Sequence, residues 1–262
     1  PCDPDFIIVG YGKVGGLEFG HGSDLDLVFI HDGDPQAETD GPKSIDGAQF
    51  FTRLGQRIIH LLTAQTNSGQ LYEVDMRLRP SGASGLLVSS LGAFARYQEN
   101  EAWTWEHQAL VRSRLVYGDD KITQRFNQIR SEVLAKPRDL AVLKTEVTEM
   151  RQKLRQHHGE QSTEVKHASG GIVDLEFISQ YLVLAYGSQY ADLYFYSDNI
   201  RILDAAAAAG LLQLEQTQAL QQAYQQLRGV SHRQTLDPAT ETAQQLEQAM
   251  EQVRQVWEQL FD

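Results

Sequence analysis

A change of hydrophobic period near residue 118 constrains this chain most. Before it, short apolar runs stopped by glycine alternate with amphipathic stretches. After it, apolar residues recur only at helical spacing. Phe6-Ile7-Ile8-Val9 and the run 25–30 read as buried strands. The segment 71–79 alternates strictly and predicts a half-buried strand. Its polar face would carry Glu73, Asp75, Arg77 and Arg79. Phe51, Leu54, Ile58 and Leu61 repeat at helical spacing, with Asp46 as N-cap, and 90–116 reads as one or two further helices. Helices are then predicted at 119–135, 140–157 and 172–185. Another is capped by Ser197 and stopped at Gly210, and two Gln- and Glu-rich helices cover 213–228 and 238–260. Leu214, Leu220, Tyr224 and Leu227 keep an apolar stripe, which favours a packed bundle over a disordered tail. The segments 32–43 and 159–168 read as polar loops. The expected class is α+β. A small mixed sheet with helices fills 1–118, and an all-α bundle fills 119–262.

At 262 residues the chain holds one to two domains of about 150 residues each. Its 35 acidic and 23 basic residues leave a net charge of −12. Nucleic-acid binding starts from a basic footprint, so no nucleic-acid partner is expected. No apolar run reaches the roughly 18 residues of a membrane-spanning helix, and no membrane partner is expected. Cys2 is the lone cysteine, which excludes an internal disulfide framework and a Cys-rich zinc site. It is compatible with a reducing cytosol, and a cytoplasmic location is expected. The start at Pro1, with no Met and no signal pattern, reads as a piece of a longer protein.

Gly10-Tyr11-Gly12-Lys13-Val14-Gly15 fits the G-x-G-x-x-G dinucleotide pattern after a strand, with Asp32 about 20 residues on. The pattern fails on length. A Rossmann unit needs a full helix between its strands, and here the second strand starts at about Leu25 with Gly20 and Gly22 breaking the interval. A glycine-supported nucleotide site of another type, or a plain turn, remains.

Gly22-Ser23-Asp24-Leu25-Asp26 leads directly into the second strand. Residues two apart on a strand face one way, about 6.5 Å apart, so Asp24 and Asp26 point together. Two bare carboxylates about 4 Å apart repel by roughly 4 kcal/mol at an effective dielectric near 20. They share a proton or bind a cation, and an all-oxygen donor set favours Mg²⁺ or Mn²⁺. Gly22 permits close backbone approach to a phosphate, and Ser23 offers a hydroxyl and an N–H. If the strand of Asp75 lies alongside, three carboxylates surround the cations, with Arg77 and Arg79 for phosphate oxygens. That set suits in-line nucleotidyl transfer. A solvent-facing salt ladder of Glu73, Asp75, Arg77 and Arg79 is the plainer reading of that strand.

G-S-D-x-D with a later strand Asp resembles the DNA polymerase β-like nucleotidyltransferase superfamily. The longer strings 10–18, 22–29, 72–82 and 170–177 resemble the glutamine synthetase adenylyltransferase family. Family members carry two such halves: one removes AMP from the synthetase by phosphorolysis to ADP, and one adds AMP from ATP. The string 100–112, Tyr11, and His31-Asp32 resemble the adenylylating half. The resemblance implies two-metal transfer of AMP from ATP to a tyrosine hydroxyl of glutamine synthetase, releasing pyrophosphate and regulating nitrogen assimilation. By position it implies Asp24, Asp26 and Asp75 as catalytic metal ligands. Gly22 and Ser23 match the phosphate-contacting turn. Arg77 and Arg79 are expected near the triphosphate, and Lys13 either reaches a phosphate or pairs with Glu18. It also implies the PII signalling protein as a partner of the full-length enzyme.

Trp103 and Trp105 read as core packing, with contact to a target protein as the other reading. Asp174 and Glu176, two apart, diverge by about 200° if they lie on a helix and can act together only ahead of one.

Overall fold

The computed structural model describes residues 5–34, 36–158, 165–237 and 243–262. Cys2, most of the expected loop 159–168 and the expected helix start at residue 238 lie outside them. The chain divides into two compact units. One runs to Val133 apart from Gly20–Gly22, and the other runs from Leu134 and includes that short stretch.

In the first unit, β1 (Phe6–Gly10) passes through a single helical turn, α1 (Gly12–Gly15), into β2 (Leu25–His31). The helix α2 (Gly47–Leu62) follows, capped by Asp46, whose carboxylate accepts from the Gln49 N–H at 2.8 Å. A small hairpin, β3 (Gln65–Thr66) and β4 (Gly69–Gln70), precedes β5 (Val74–Asp75) and β6 (Val88–Ser90). Then come α3 (Leu91–Asn100), α4 (Thr104–Val111), β7 (Arg114–Tyr117) and α5 (Asp120–Leu134).

The sheet has the order β5-β2-β1-β7, with β6 also pairing β2. β1 is antiparallel to β2 and β7, while β5 and β6 run parallel to β2. Strand alternation divides the apolar residues between the two faces. Phe6, Leu27 and Phe29 join Phe51 of α2, Met76 and Val88 in one core. Ile7, Val9, Val28 and Ile30 point the other way and are fully buried. There α3 packs on β2, and Phe94 of α3 meets Phe126 of α5 at 5.8 Å between ring centroids.

The antiparallel β1–β2 pair excludes a Rossmann crossover, which needs parallel strands. The predicted strand 71–79 shrinks to two residues. Beyond Asp75 the Arg79 guanidinium gathers the carbonyls of Met76, Ala83 and Gly85 and bends the chain into a loop. The predicted helical stretch 90–116 ends in a strand, because Arg114–Tyr117 finds the open edge of β1. Leu61 is exposed, while Ile58, Ile59 and Leu62 turn to the core instead. Trp103 and Trp105 are exposed and do not pack in the core.

In the second unit, α6 (Leu140–His158), α7 (Ile172–Tyr186), α8 (Asn199–Ala208), α9 (Leu214–Leu236) and α10 (Ala243–Phe261) pack together. α7 is buried nearly all round, as expected of an all-apolar helix inside a bundle. Against it pack α6, α8, α9 and α10. Gly170 precedes α7 with φ +78°, and a Cβ there would meet the Met250 carbonyl at 2.2 Å. Asp198, not Ser197, caps α8, accepting from the Arg201 N–H at 3.0 Å. Asp174 lies within α7, so it diverges from Glu176. It is 1% exposed and held by Arg151, by Arg155 at 3.0 Å and by the Gly170 N–H at 2.7 Å. Among the described residues, no helix is long and apolar enough to cross a membrane.

Candidate active site

The site grows out of one register. β5 pairs in parallel with β2 so that Asp26 stands opposite Asp75 and Leu25 opposite Val74. Paired residues on neighbouring strands share a face about 4.8 Å apart. Asp24, two residues before Asp26, joins them. Each of the three offers a carboxylate oxygen, and these oxygens all lie within 4.8 Å of one another. None is fully buried, so solvent and ligand reach the group. Close carboxylates with only oxygen donors fit a hard divalent cation, Mg²⁺ or Mn²⁺.

The glycine-rich turn lies over this group. The Tyr11 N–H donates to the Asp26 carbonyl at 2.9 Å. Gly12 adopts φ +53°, and a Cβ there would come within 2.6 Å of Asp26 Oδ2. Glycine is needed at that position because the turn passes directly above the Asp26 carboxylate. Gly22 also takes a left-handed φ of +66° on the approach to Ser23 and Asp24.

Arg77 comes to the acids. Its Nε and Nη2 donate to Asp75 Oδ2 at 2.8 and 2.5 Å, and its backbone N–H donates to Oδ1 at 2.8 Å. These bonds hold the Asp75 carboxyl below its usual range, against a smaller opposing effect of burial. Asp75, Asp26 and Asp24 together favour the charged guanidinium. The Arg77 side chain is 81% exposed, so it is a solvent-facing counter-charge to the group, and its net stabilisation is that of a surface pair. Arg79 behaves differently, because its guanidinium is committed to three backbone carbonyls of the loop 76–85. Lys13 lies on α1, half-buried. Glu18, its alternative partner, is held by the buried Arg112.

Several supporting residues were not legible in the sequence. Arg112 binds Glu18 at the end of the glycine turn, and Arg114 Nη2 donates to the Val14 carbonyl at 3.1 Å. A Cβ on Gly15 would lie 1.9 Å from the Arg112 carbonyl, so the turn and the start of β7 are pressed together. Tyr11 is buried, and burial pushes its hydroxyl well above the usual range. Beside it Arg130, lowered by burial to about 10, donates to the carbonyls of Leu110 and Val111. Nothing in local spacing marks these arginines. They matter because chain segments about 100 residues apart meet.

A mixed sheet with an antiparallel first pair, a one-turn connection and three convergent carboxylates, two on strands and one just ahead of β2, is that of a nucleotidyltransferase domain of the polymerase β-like kind. Residues 1–129 match the model of the glutamate-ammonia ligase adenylyltransferase family, and the chain belongs to that family. Residues 138–238 match the GlnD PII-uridylyltransferase model. Over 99% of its length the chain is 58% identical to the bifunctional glutamine synthetase adenylyltransferase/adenylyl-removing enzyme of Pseudomonas aeruginosa. It is 55% identical, over the same share, to the enzymes of that name from Pseudomonas putida and Pseudomonas syringae pv. tomato. The chain spans 28% of the length of each of these relatives.

Proposed function

We propose that this chain transfers AMP from ATP to a tyrosine hydroxyl of glutamine synthetase, releasing pyrophosphate, and so regulates nitrogen assimilation in the cytoplasm. The observation that carries the reading is the convergence of Asp24, Asp26 and Asp75 on one open face. These three would hold the divalent cations, which when bound neutralise phosphate charge and acidify the incoming hydroxyl. Gly22 and Ser23 present backbone and hydroxyl donors to phosphate oxygens. Arg77, with its exposed head, exchanges Asp75 for a phosphate oxygen of ATP, and Lys13 adds positive charge from the glycine-rich turn. Asp75 then accepts the tyrosine proton. Departure of Arg77 frees the Asp75 oxygens of their guanidinium partner. Arg79 shapes the loop that presents Asp75 and Arg77, rather than touching phosphate.

Glutamine synthetase as acceptor is supported by the names of the relatives. PII as a partner of the longer enzyme is supported by the match of 138–238 to a family named for acting on PII.

The test is a pair of assays. One tube holds the chain, Mg²⁺, α-phosphate-labelled ATP and unmodified glutamine synthetase. The other holds adenylylated synthetase and phosphate. Label on the synthetase with little ADP release is expected. ADP release without incorporation assigns the chain to AMP removal instead, and silence in both tubes overturns the reading.

A further inference from the structure

Leu17 combines two features that local physics disfavours. Its backbone is left-handed, φ +59°, which a residue with a Cβ rarely adopts. Its side chain is 57% exposed, so burial gives little back for the strain. Leu17 closes α1. Its N–H donates to the Val14 carbonyl at 3.4 Å, and the Glu18 N–H donates to the Lys13 carbonyl at 2.8 Å. The left-handed position of such a helix ending is usually glycine. Strain of this kind persists only where the surroundings over-determine it. Here the next residue does so, because the Glu18 carboxylate is paired with Arg112 and both side chains are largely buried. The Arg112 guanidinium lies against the turn, where a Cβ on Gly16 would meet Nη2 at 2.7 Å. From this fixed point a run of backbone bonds leads to the site. The Gly16 N–H donates to the Gly12 carbonyl at 2.9 Å, the Gly15 N–H to the Tyr11 carbonyl at 3.0 Å, and the Tyr11 N–H to the Asp26 carbonyl at 2.9 Å.

We propose that Leu17, Glu18 and Arg112 are positioning residues for nucleotidyl transfer, a role that rests on the AMP-transfer reading above. The ion pair holds Leu17 left-handed, and the closed end of α1 then sets Gly12 above Asp26 and fixes the backbone that carries Lys13. Without the pair, Leu17 returns to ordinary right-handed or extended backbone. The bond from Glu18 to the Lys13 carbonyl opens, and the turn loses its register over Asp26. Glycine at position 17 would keep the same backbone with no help from the pair. A specific relation follows: glycine at 17 makes the pair dispensable for the reaction. A pair that only added stability would show no such relation, because alanine at 17 would then serve as well as glycine.

The test uses the intact chain in the labelled-ATP assay with each substrate varied in turn. Glu18→Gln should lower kcat/KM for ATP about tenfold, with KM for glutamine synthetase within about twofold of wild type. Adding Leu17→Gly to Glu18→Gln should bring kcat/KM for ATP back to within about threefold of Leu17→Gly alone. Adding Leu17→Ala should not, since alanine keeps the Cβ. Normal ATP kinetics in a folded Glu18→Gln variant would overturn the proposal. So would equal rescue by glycine and alanine, or rescue by neither. If circular dichroism shows that Glu18→Gln does not fold, position 17 decides with the pair intact. Leu17→Ile, whose branched Cβ tolerates a left-handed backbone still less, should lower kcat/KM for ATP about fivefold or more below Leu17→Gly. Equal ATP kinetics of those two variants would overturn the proposal. If the wild type transfers AMP and the variants fail these tests, only the positioning role falls. If the wild type acts on synthetase in neither direction, the functional reading fails and the positioning role with it.

Discussion

Asp26 is held from two sides, by its register partner Asp75 and by the turn that carries Gly12 above it. Removing its charge should remove its role and leave its shape. Asp26→Asn is expected to lower AMP transfer at least about 100-fold while thermal melting stays close to wild type. A folded variant with near-normal turnover would dismiss Asp26 as a ligand. Gly12→Ala tests the same contact from above. It forces a Cβ against the carboxylate and a strained φ, costing about 1–3 kcal/mol in urea denaturation and most of the transfer activity. Retained activity would show that the turn moves aside freely. The convergence of Asp24 and Asp26 was readable because carboxylates two apart at the entry to a strand face one way. Arg79 was not, because a guanidinium reads equally well as a phosphate donor or as a collector of carbonyls, and only the folded loop decides.

Elements are joined here by buried charge. Arg112, from the junction of α4 and β7, closes on Glu18 after the glycine turn, with side chains 4% and 12% exposed. Breaking a buried pair strands one charge, so Arg112→Ala should cost about 3–5 kcal/mol of stability by chemical denaturation. A loss below about 1 kcal/mol would class the pair with surface bridges. Asp174 plays the matching part in the helical unit, between Arg151 and Arg155. Asp174→Asn should cost about as much, read from the melting of the helices by circular dichroism. β1, β2, α2 and the helices after α5 were legible from apolar period and caps. β7 was not, because four residues become a strand only when the edge of β1 is present. Trp103 and Trp105 misled because apolar area argues for burial, yet both side chains stand exposed.

At the scale of the molecule, the expected border at 118 falls inside the first unit. α5 belongs there because Phe126 is fully buried against Phe94, Arg130 bonds to the end of α4, and Arg125 pairs with Asp32 beyond β2. A fragment ending at 118 would expose that face and should aggregate or stay unfolded. A fragment ending at 133 should show a cooperative melt. Equal behaviour of the two would deny α5 a part in the core. The join at Val133–Leu134 also lies in the gap between the two family matches, 1–129 and 138–238. The border between the compact units and the border between the two family matches therefore coincide. Most of the helical bundle, residues 138–238, is similar to a family other than the adenylyltransferases. Chimeras cut at that seam should respect both borders.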